Sequence, residues 1–358
     1  MNRRFARYLI QEILPLYVAG LIALLLLLLA YFLIQGVLAE ALSRGVGVGL
    51  VAQYLLYTIP SAAAMGLPLA LLFASLLGIT RLSQDSEIKA AILLGISPQQ
   101  FLSPILLLGV FIAALSFLNN ELLAPWSYDR AQEVLSDILV QSPQVVVEEG
   151  SFFTDALGRS VYVGELTEGG GVGDVTVIQP DGAQGIGEVI RAESGTLDKA
   201  AGVWRLTNIR MLRYRDARVV LDAPAERATL PVRGLSVSSG EPPELTRLPL
   251  RELLVRLRGT TPGDAPSEWT ALNRKFAEPA AAIAFAFFAL AIGLYSFRRN
   301  FGLGLVSVLF LTFIYYATWS ISNLLGAQGT IPALAAGWVP PMLYLIAGAV
   351  LFGLSWRR

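Results

Sequence analysis

Asp85, Ser86 and Glu87 stand together in a short polar stretch, Ser83–Ser97, between two long apolar runs. The chain has no cysteine and no histidine. A thiol nucleophile, a disulfide framework, a zinc cluster, a haem ligand and a Ser-His-Asp triad are therefore all excluded. No Walker-type glycine pattern (G-x-x-x-x-G-K before Ser or Thr) occurs either, so the glycines of 169–173 read as a turn.

The spacing predicts that Ser83–Ser97 forms one amphipathic helix of about three turns. Ser83 or Asp85 would cap it by accepting a hydrogen bond from a free backbone N–H. Glu87 would lie in the first turn, where negative charge suits the helix dipole. Ile88, Ala91 and Ile92 fall at i, i+3 and i+4 and make one apolar stripe. Gly95 fits the left-handed position just past a helix end. Ser97-Pro98-Gln99-Gln100 restarts a helix, with a capping-box pattern and proline at its first position. Such a helix across the mouth of two membrane spans suits docking by a cytoplasmic partner. The plainer alternative is a loop helix that rests on lipid headgroups.

Composition sets the surroundings. The mean hydropathy of +0.59 and 15% charged residues are outside the range of an ordinary soluble domain. Zero formal net charge implies no bulk attraction to nucleic acid. Of the 54 charged residues, 39 lie in 121–275, which splits the chain into membrane, water-soluble middle and membrane.

A bilayer core needs about 20 apolar residues. Ile13–Ile34 meets this and is too long for a signal-peptide core of about 7–15 residues. Leu55–Ile79 and Phe101–Leu118 follow, the last closed by Asn119-Asn120-Glu121. Pro279–Phe297 is a fourth span. The 57 uncharged residues from Asn300 to Trp356 hold two more, broken at Gly326–Pro332. Between the third and fourth spans, Ala124–Leu139 reads as a helix. Seven short strands follow: Gln144–Val147, Ser160–Leu166, Val172–Ile178, Glu188–Ala192, Val203–Tyr214, Ala217–Leu221 and Arg227–Val232. This texture predicts an all-β, jelly-roll-like domain over about 144–245. Leu250, Leu253, Leu254 and Leu257 form the apolar face of an amphipathic helix, 249–258, at the membrane surface or against the sheet.

The expected architecture is three spans in 1–122, an external region in 123–270, and three spans in 271–358. Arg3, Arg4, Arg7, Arg81, Lys89, Arg298, Arg299, Arg357 and Arg358 fall on one side, and the short opposite loops hold only Arg44. Positive charge stays inside. Both termini and 83–97 are then cytoplasmic, and the sheet is external, in the periplasm of a two-membrane cell. The span cores so bounded contain no ionisable group, which argues against ion-coupled transport and intramembrane proteolysis. Energy for transport must then come from another chain, with 83–97 as the coupling element.

The residues that carry a resemblance are spread along the chain: Arg7-Tyr-Leu-Ile-Gln-Glu12, Ser86-Glu87-Ile88, Gly95-Ile96-Ser97, Leu272-Asn-Arg-Lys-Phe-Ala-Glu-Pro279, Tyr315-Tyr316, Gly329-x-Ile-Pro332 and Trp338-Val-Pro340. In order and spacing the chain resembles the lipopolysaccharide-export permease family LptF/LptG. The resemblance implies a non-enzymatic subunit of an ABC transporter, paired with a second LptF/LptG-like permease. Two copies of a separate ATPase would use the ATP, with no cofactor on this chain. It also implies that 83–97 fits an ATPase groove, with Asp85, Ser86, Glu87, Ile88 and Gly95 at the contact and Glu87 as the coupling glutamate. Glycolipid would leave the outer leaflet of the inner membrane through lateral openings at the first and fifth spans. The external jelly-roll would pass it to a similar periplasmic bridge.

The chain departs from the family at the outer end of the first span. Family members often carry a basic residue there; this chain reads Ile34-Gln35-Gly36, with Arg44 the next basic group. Gln35, Arg44, Arg274 and Lys275 are the candidate headgroup contacts, and plain interfacial anchoring is the alternative for the last two. The rival reading of the whole chain is a membrane scaffold that displays an external binding domain.

Overall fold

A computed structural model describes residues 3–34, 37–43, 45–141, 150–154, 159–167, 171–180, 186–198, 201, 203–215, 218–231, 245–299 and 305–356. The expected strand Gln144–Val147 and the candidate residues Gln35 and Arg44 lie outside the described residues. The helices are α1 (Arg3–Ile34), α2 (Val37–Ser43), α3 (Val48–Gln84), α4 (Glu87–Leu93), α5 (Pro98–Leu118), α6 (Ala124–Gln141), α7 (Leu250–Arg256), α8 (Pro266–Arg299), α9 (Leu305–Ala327) and α10 (Ala333–Trp356). Six stretches of helix are long and apolar enough to cross a membrane, three before the strands and three after them in chain order. Two compact units result: a helical unit (1–29, 59–127 and 242–358) and a sheet unit (30–58 and 128–241).

In the helical unit α8 is the central element. Ala277, Ala281, Ala282, Ala284, Ala286, Ala289 and Ala291 on it are wholly buried. Small side chains let neighbouring backbones approach, which is how helices associate where lipid competes for apolar contact. α8 packs against α5, α9 and α10. At Gly337 of α10 an added Cβ would come within 2.8 Å of Asn273 Cβ and 3.2 Å of the Arg274 backbone nitrogen. Backbone cannot yield as a side-chain tip can. Gly337→Val is therefore expected to cost about 3 kcal/mol, the upper part of the overpacking range. Heat-induced loss of the monodisperse peak in detergent would measure it. Aromatic rings fill the α8–α9–α10 junction: Phe285 lies edge-on to Tyr315 at 4.7 Å and to Tyr344 at 5.1 Å.

Two boundaries differ from the sequence reading. Asn119-Asn120-Glu121 does not close the third span; α5 continues through a π-helical turn, Asn119–Leu123, into α6. Asn119 donates from Nδ2 to the Pro60 carbonyl at 2.9 Å, which ties this turn to α3. α8, which carries the fourth span, begins at Pro266, ahead of the apolar run from Pro279. Its polar first turns are held by packing: Leu253 and Leu257 bury against Ala271, with Trp269 and Leu272 beside them. The amphipathic helix thus packs on the start of α8.

The sheet unit holds β1 (Ser151–Thr154), β2 (Ser160–Thr167), β3 (Gly171–Pro180), β4 (Ile186–Asp198), β5 (Val203–Arg215) and β6 (Arg218–Pro231) in one antiparallel meander, in that order. The strands expected at Ala217–Leu221 and Arg227–Val232 fall in one strand, β6. Asp222-Ala-Pro-Ala-Glu226 hides its middle, because these residues have little strand preference. β6 is an edge strand, where Pro224 is tolerated. No Greek-key connection of a jelly-roll occurs among the described strands.

The pleat changes phase along one line across the sheet. Buried positions run Val172 then Val175, Ala192 then Gly195, and Leu206 then Ile209, where strict alternation would give steps of two. Asp174 (φ 47°) and Asn208 (φ 53°) take left-handed conformations on this line. Both fit residue types that tolerate it. Asn208 donates to Glu193 at 3.0 Å, and the Ser194 and Thr207 hydroxyls bond at 2.8 Å. The inner face closes on helical residues of the same unit: Trp204, Val161 and Val175 share one core with Leu38, Ala41, Val51, Val134 and Ile138. On the outer face Arg210 grips Asp222 through two 2.8 Å bonds, which hold the Asp222 carboxyl below its usual range. That pair is exposed and adds little stability.

Candidate functional site

The α3–α5 turn is built differently from the expected single helix. α3 runs to Gln84, Asp85 and Ser86 turn the chain, and α4 holds only Glu87–Leu93. Neither Ser83 nor Asp85 caps α4. Ser83 belongs to α3, and Asp85 lies 3.7 Å from Arg81, an i,i+4 ion pair. Ser86 is the N-cap, in the left-handed region at φ 60°, with no side-chain capping bond. The C-terminus follows the expectation. Gly95 has φ 87°, Gly95 N–H donates to Ile92 and Ile96 N–H donates to Ala91, the paired bonds of a Schellman motif. Pro98 opens α5, but Ser97 makes no side-chain capping bond, so the capping box is not formed.

One face of α4 is buried and the other is exposed. Ile88 and Ala91 enter a core with Leu9, Ile13, Leu82 and Phe101, and Ile92 packs at its edge. Glu87, Lys89, Leu93 and Leu94 face outward, Leu93 and Leu94 at 78% and 83% exposure. A cleft of about 250 Å³ opens here, with Phe5, Tyr8 and Leu9 of α1 on one side and Ile88, Ala91 and Leu94 on the other. Sequence reasoning missed the polar contacts at its rim. Tyr8 donates from Oη to Glu87 Oε2 at 2.5 Å. Arg81 Nη1 lies 2.6 Å from Glu12 Oε1. The available signal was the spacing of Tyr8 and Glu12, one turn apart on a helix. Asp85, Ser86, Glu87, Ile88 and Gly95 are thus gathered in one turn.

Arg274 and Lys275 are placed elsewhere and otherwise than expected. Their side chains are 6% and 2% exposed. Lys275 Nζ donates to Glu121 Oε2 at 2.7 Å, and Glu121 Oε1 also accepts the Leu250 backbone N–H at 2.6 Å, at the uncapped start of α7. Arg274 donates to Glu278 at 2.8 Å and to Asn323 at 2.6 Å, and its guanidinium lies 4.3 Å over the Trp319 ring. Trp319 donates to the same Glu278 oxygen at 3.0 Å. Both cations are matched within the chain and neither snorkels to a surface. The helix that carries the fourth span therefore does contain ionisable groups, because it starts earlier than its apolar run. Among the described residues no cluster of Asp and Glu could hold a metal ion.

Six apolar membrane-length helices, with a β unit between the third and the fourth, define a multi-pass membrane protein. Residues 7–354 match the family described as lipopolysaccharide export system permease LptF/LptG, and the chain belongs to that family. It is a transporter permease component of lipopolysaccharide export, not an enzyme. No curated protein matches the chain.

Proposed function

We propose that this chain lifts lipopolysaccharide, or a related envelope glycolipid, from the outer leaflet of the inner membrane and passes it to a periplasmic bridge. A separate cytoplasmic ABC ATPase dimer drives it, docked on the α3–α5 turn, and a second LptF/LptG-like permease completes the complex. The observation that carries this reading is α4: a short helix clamped on one face, with Glu87, Leu93 and Leu94 presented on the other. A partner that grips it pushes directly on the core of the helical unit.

Two features support the transport half. In the first and fifth membrane-length helices only 11% and 17% of the most apolar window is buried, against 72% in the second and fourth. The outer two are left to face lipid, the second permease or substrate, as lateral openings require. Arg274, Lys275 and Glu278 on α8 are engaged in ion pairs within the chain, which disfavours Glu278 as a carrier for a coupling proton. The positive-inside distribution supports a cytoplasmic place for both termini and α4 and a periplasmic one for the sheet. There the sheet would serve as the receiving domain.

Depletion of the chain in its own cells tests this. Newly made lipopolysaccharide is expected to accumulate in the inner membrane and disappear from the cell surface. Unchanged surface delivery would favour the scaffold.

A further inference from the structure

Tyr8 is not among the residues that the docking surface needs, yet it holds the residue at the centre of that surface. Its hydroxyl donates to Glu87 at 2.5 Å. One turn further along α1, Glu12 pairs with Arg81 at 2.6 Å, and Arg81 also faces Asp85 at the turn. The apolar residues beside them, Leu9 and Ile13, are 1% exposed and share a core with Ile88 of α4. Phe5 stands edge-on to Phe101 of α5 at 4.7 Å. Further along α1 the anchoring thins: Leu14, Val18 and Ile22 are exposed, at 44%, 49% and 53%, although Tyr17 still packs inward. α1 is therefore gripped mainly at the end that meets the coupling turn.

We infer that Tyr8 is a positioning residue that ties the first membrane helix to the coupling turn, so that α1 follows α4 when the ATPase moves it. This rests on the proposed docking of the ATPase at α4. Two polar contacts one helical turn apart resist rotation of α1 about its axis as well as sliding. They add a directional restraint to the apolar contacts of Leu9 and Ile13, whose attraction is non-directional. A hydrogen bond to a charged acceptor is also stronger than one between neutral groups.

The test uses the complex isolated through a tag on the full chain and placed in nanodiscs with rough-type lipopolysaccharide. Lipopolysaccharide released per ATP hydrolysed is measured together with the amount of ATPase retained. Tyr8→Phe removes the hydroxyl and keeps the ring in the cleft. It is expected to retain the ATPase and its turnover, and to lower release per ATP about tenfold, the scale of one charge-assisted hydrogen bond. Added to Glu87→Ala it should lower release no further than Glu87→Ala alone, because the alanine has already removed the acceptor of the Tyr8 hydroxyl. Wild-type release per ATP in Tyr8→Phe, or losses that multiply in the double variant, would overturn the inference. Glu87→Lys run alongside separates the two claims. If Glu87→Lys is impaired while Tyr8→Phe is silent, only the role of Tyr8 fails; if Glu87→Lys keeps both ATPase and release, the docking reading itself fails.

Discussion

Lys275→Ala is expected to destabilise the protein by about 3 kcal/mol or more, the scale for removing one partner of a buried ion pair. The Lys275 side chain is 2% exposed and its ammonium meets Glu121 at 2.7 Å. Without it the partly buried Glu121 carboxylate loses its ion-pair partner. Glu121 also accepts the first N–H of α7, so its strain reaches three elements: the π-helical turn, α7 and α8. Glu121→Gln should cost a similar amount, because its one carbonyl oxygen can serve only one of the Leu250 N–H and the ammonium, and the buried Lys275 charge loses its partner. Thermal unfolding in detergent, followed by tryptophan fluorescence, would compare the variants. An unfolding curve for Lys275→Ala that overlays the wild type would show that the pair is not a structural tie. The same variant speaks to headgroup binding. A cation engaged internally should leave the amount of co-purified glycolipid unchanged once folding is restored at low temperature.

Glu87→Lys is expected to abolish ATPase recruitment while leaving the fold intact. Glu87 is exposed, and changes at exposed positions usually alter stability by about 0.5 kcal/mol or less. Here the loss of the Tyr8 hydrogen bond adds to that. The partner, by contrast, would meet a reversed charge beside Lys89 on a helix of seven residues. Like charges brought together at an interface cost several kcal/mol, which reads as about a hundredfold or greater loss of binding. In cells that carry only this variant, lipopolysaccharide should fail to reach the surface, with normal amounts of the protein in the membrane. Normal surface delivery would remove Glu87 from the coupling role.

Much of this was legible in the sequence because lipid imposes a simple rule. Long uncharged runs must be helices, since no other backbone satisfies its own hydrogen bonds in the bilayer. The apolar runs therefore located all six helices, and the Ile88–Ala91–Ile92 stripe and Gly95 were correctly read within the turn. What hydropathy could not give was where the helices end. Arg274, Lys275 and Glu278 look like the edge of a span, yet they continue α8 because Glu121, Asn323 and Trp319 complete their bonding from afar. Tyr8–Glu87 joins residues 79 apart, beyond any local pattern. The break at Ser86 was hidden because nothing in Ser83-Gln-Asp-Ser disfavours helix strongly enough to mark it. In the sheet, the alternation expected of a strand fails at Asp174 and Asn208 for a local backbone reason that a period-two pattern does not encode.

The most direct measurement is of what accompanies a tagged copy of the full chain out of its own membranes in mild detergent, with proteins and lipids scored together. The account predicts a cytoplasmic ABC ATPase, a second permease of the same family and a bound envelope glycolipid. A folded chain that emerges with neither nucleotidase nor glycolipid would contradict it and leave a membrane scaffold bearing an external sheet.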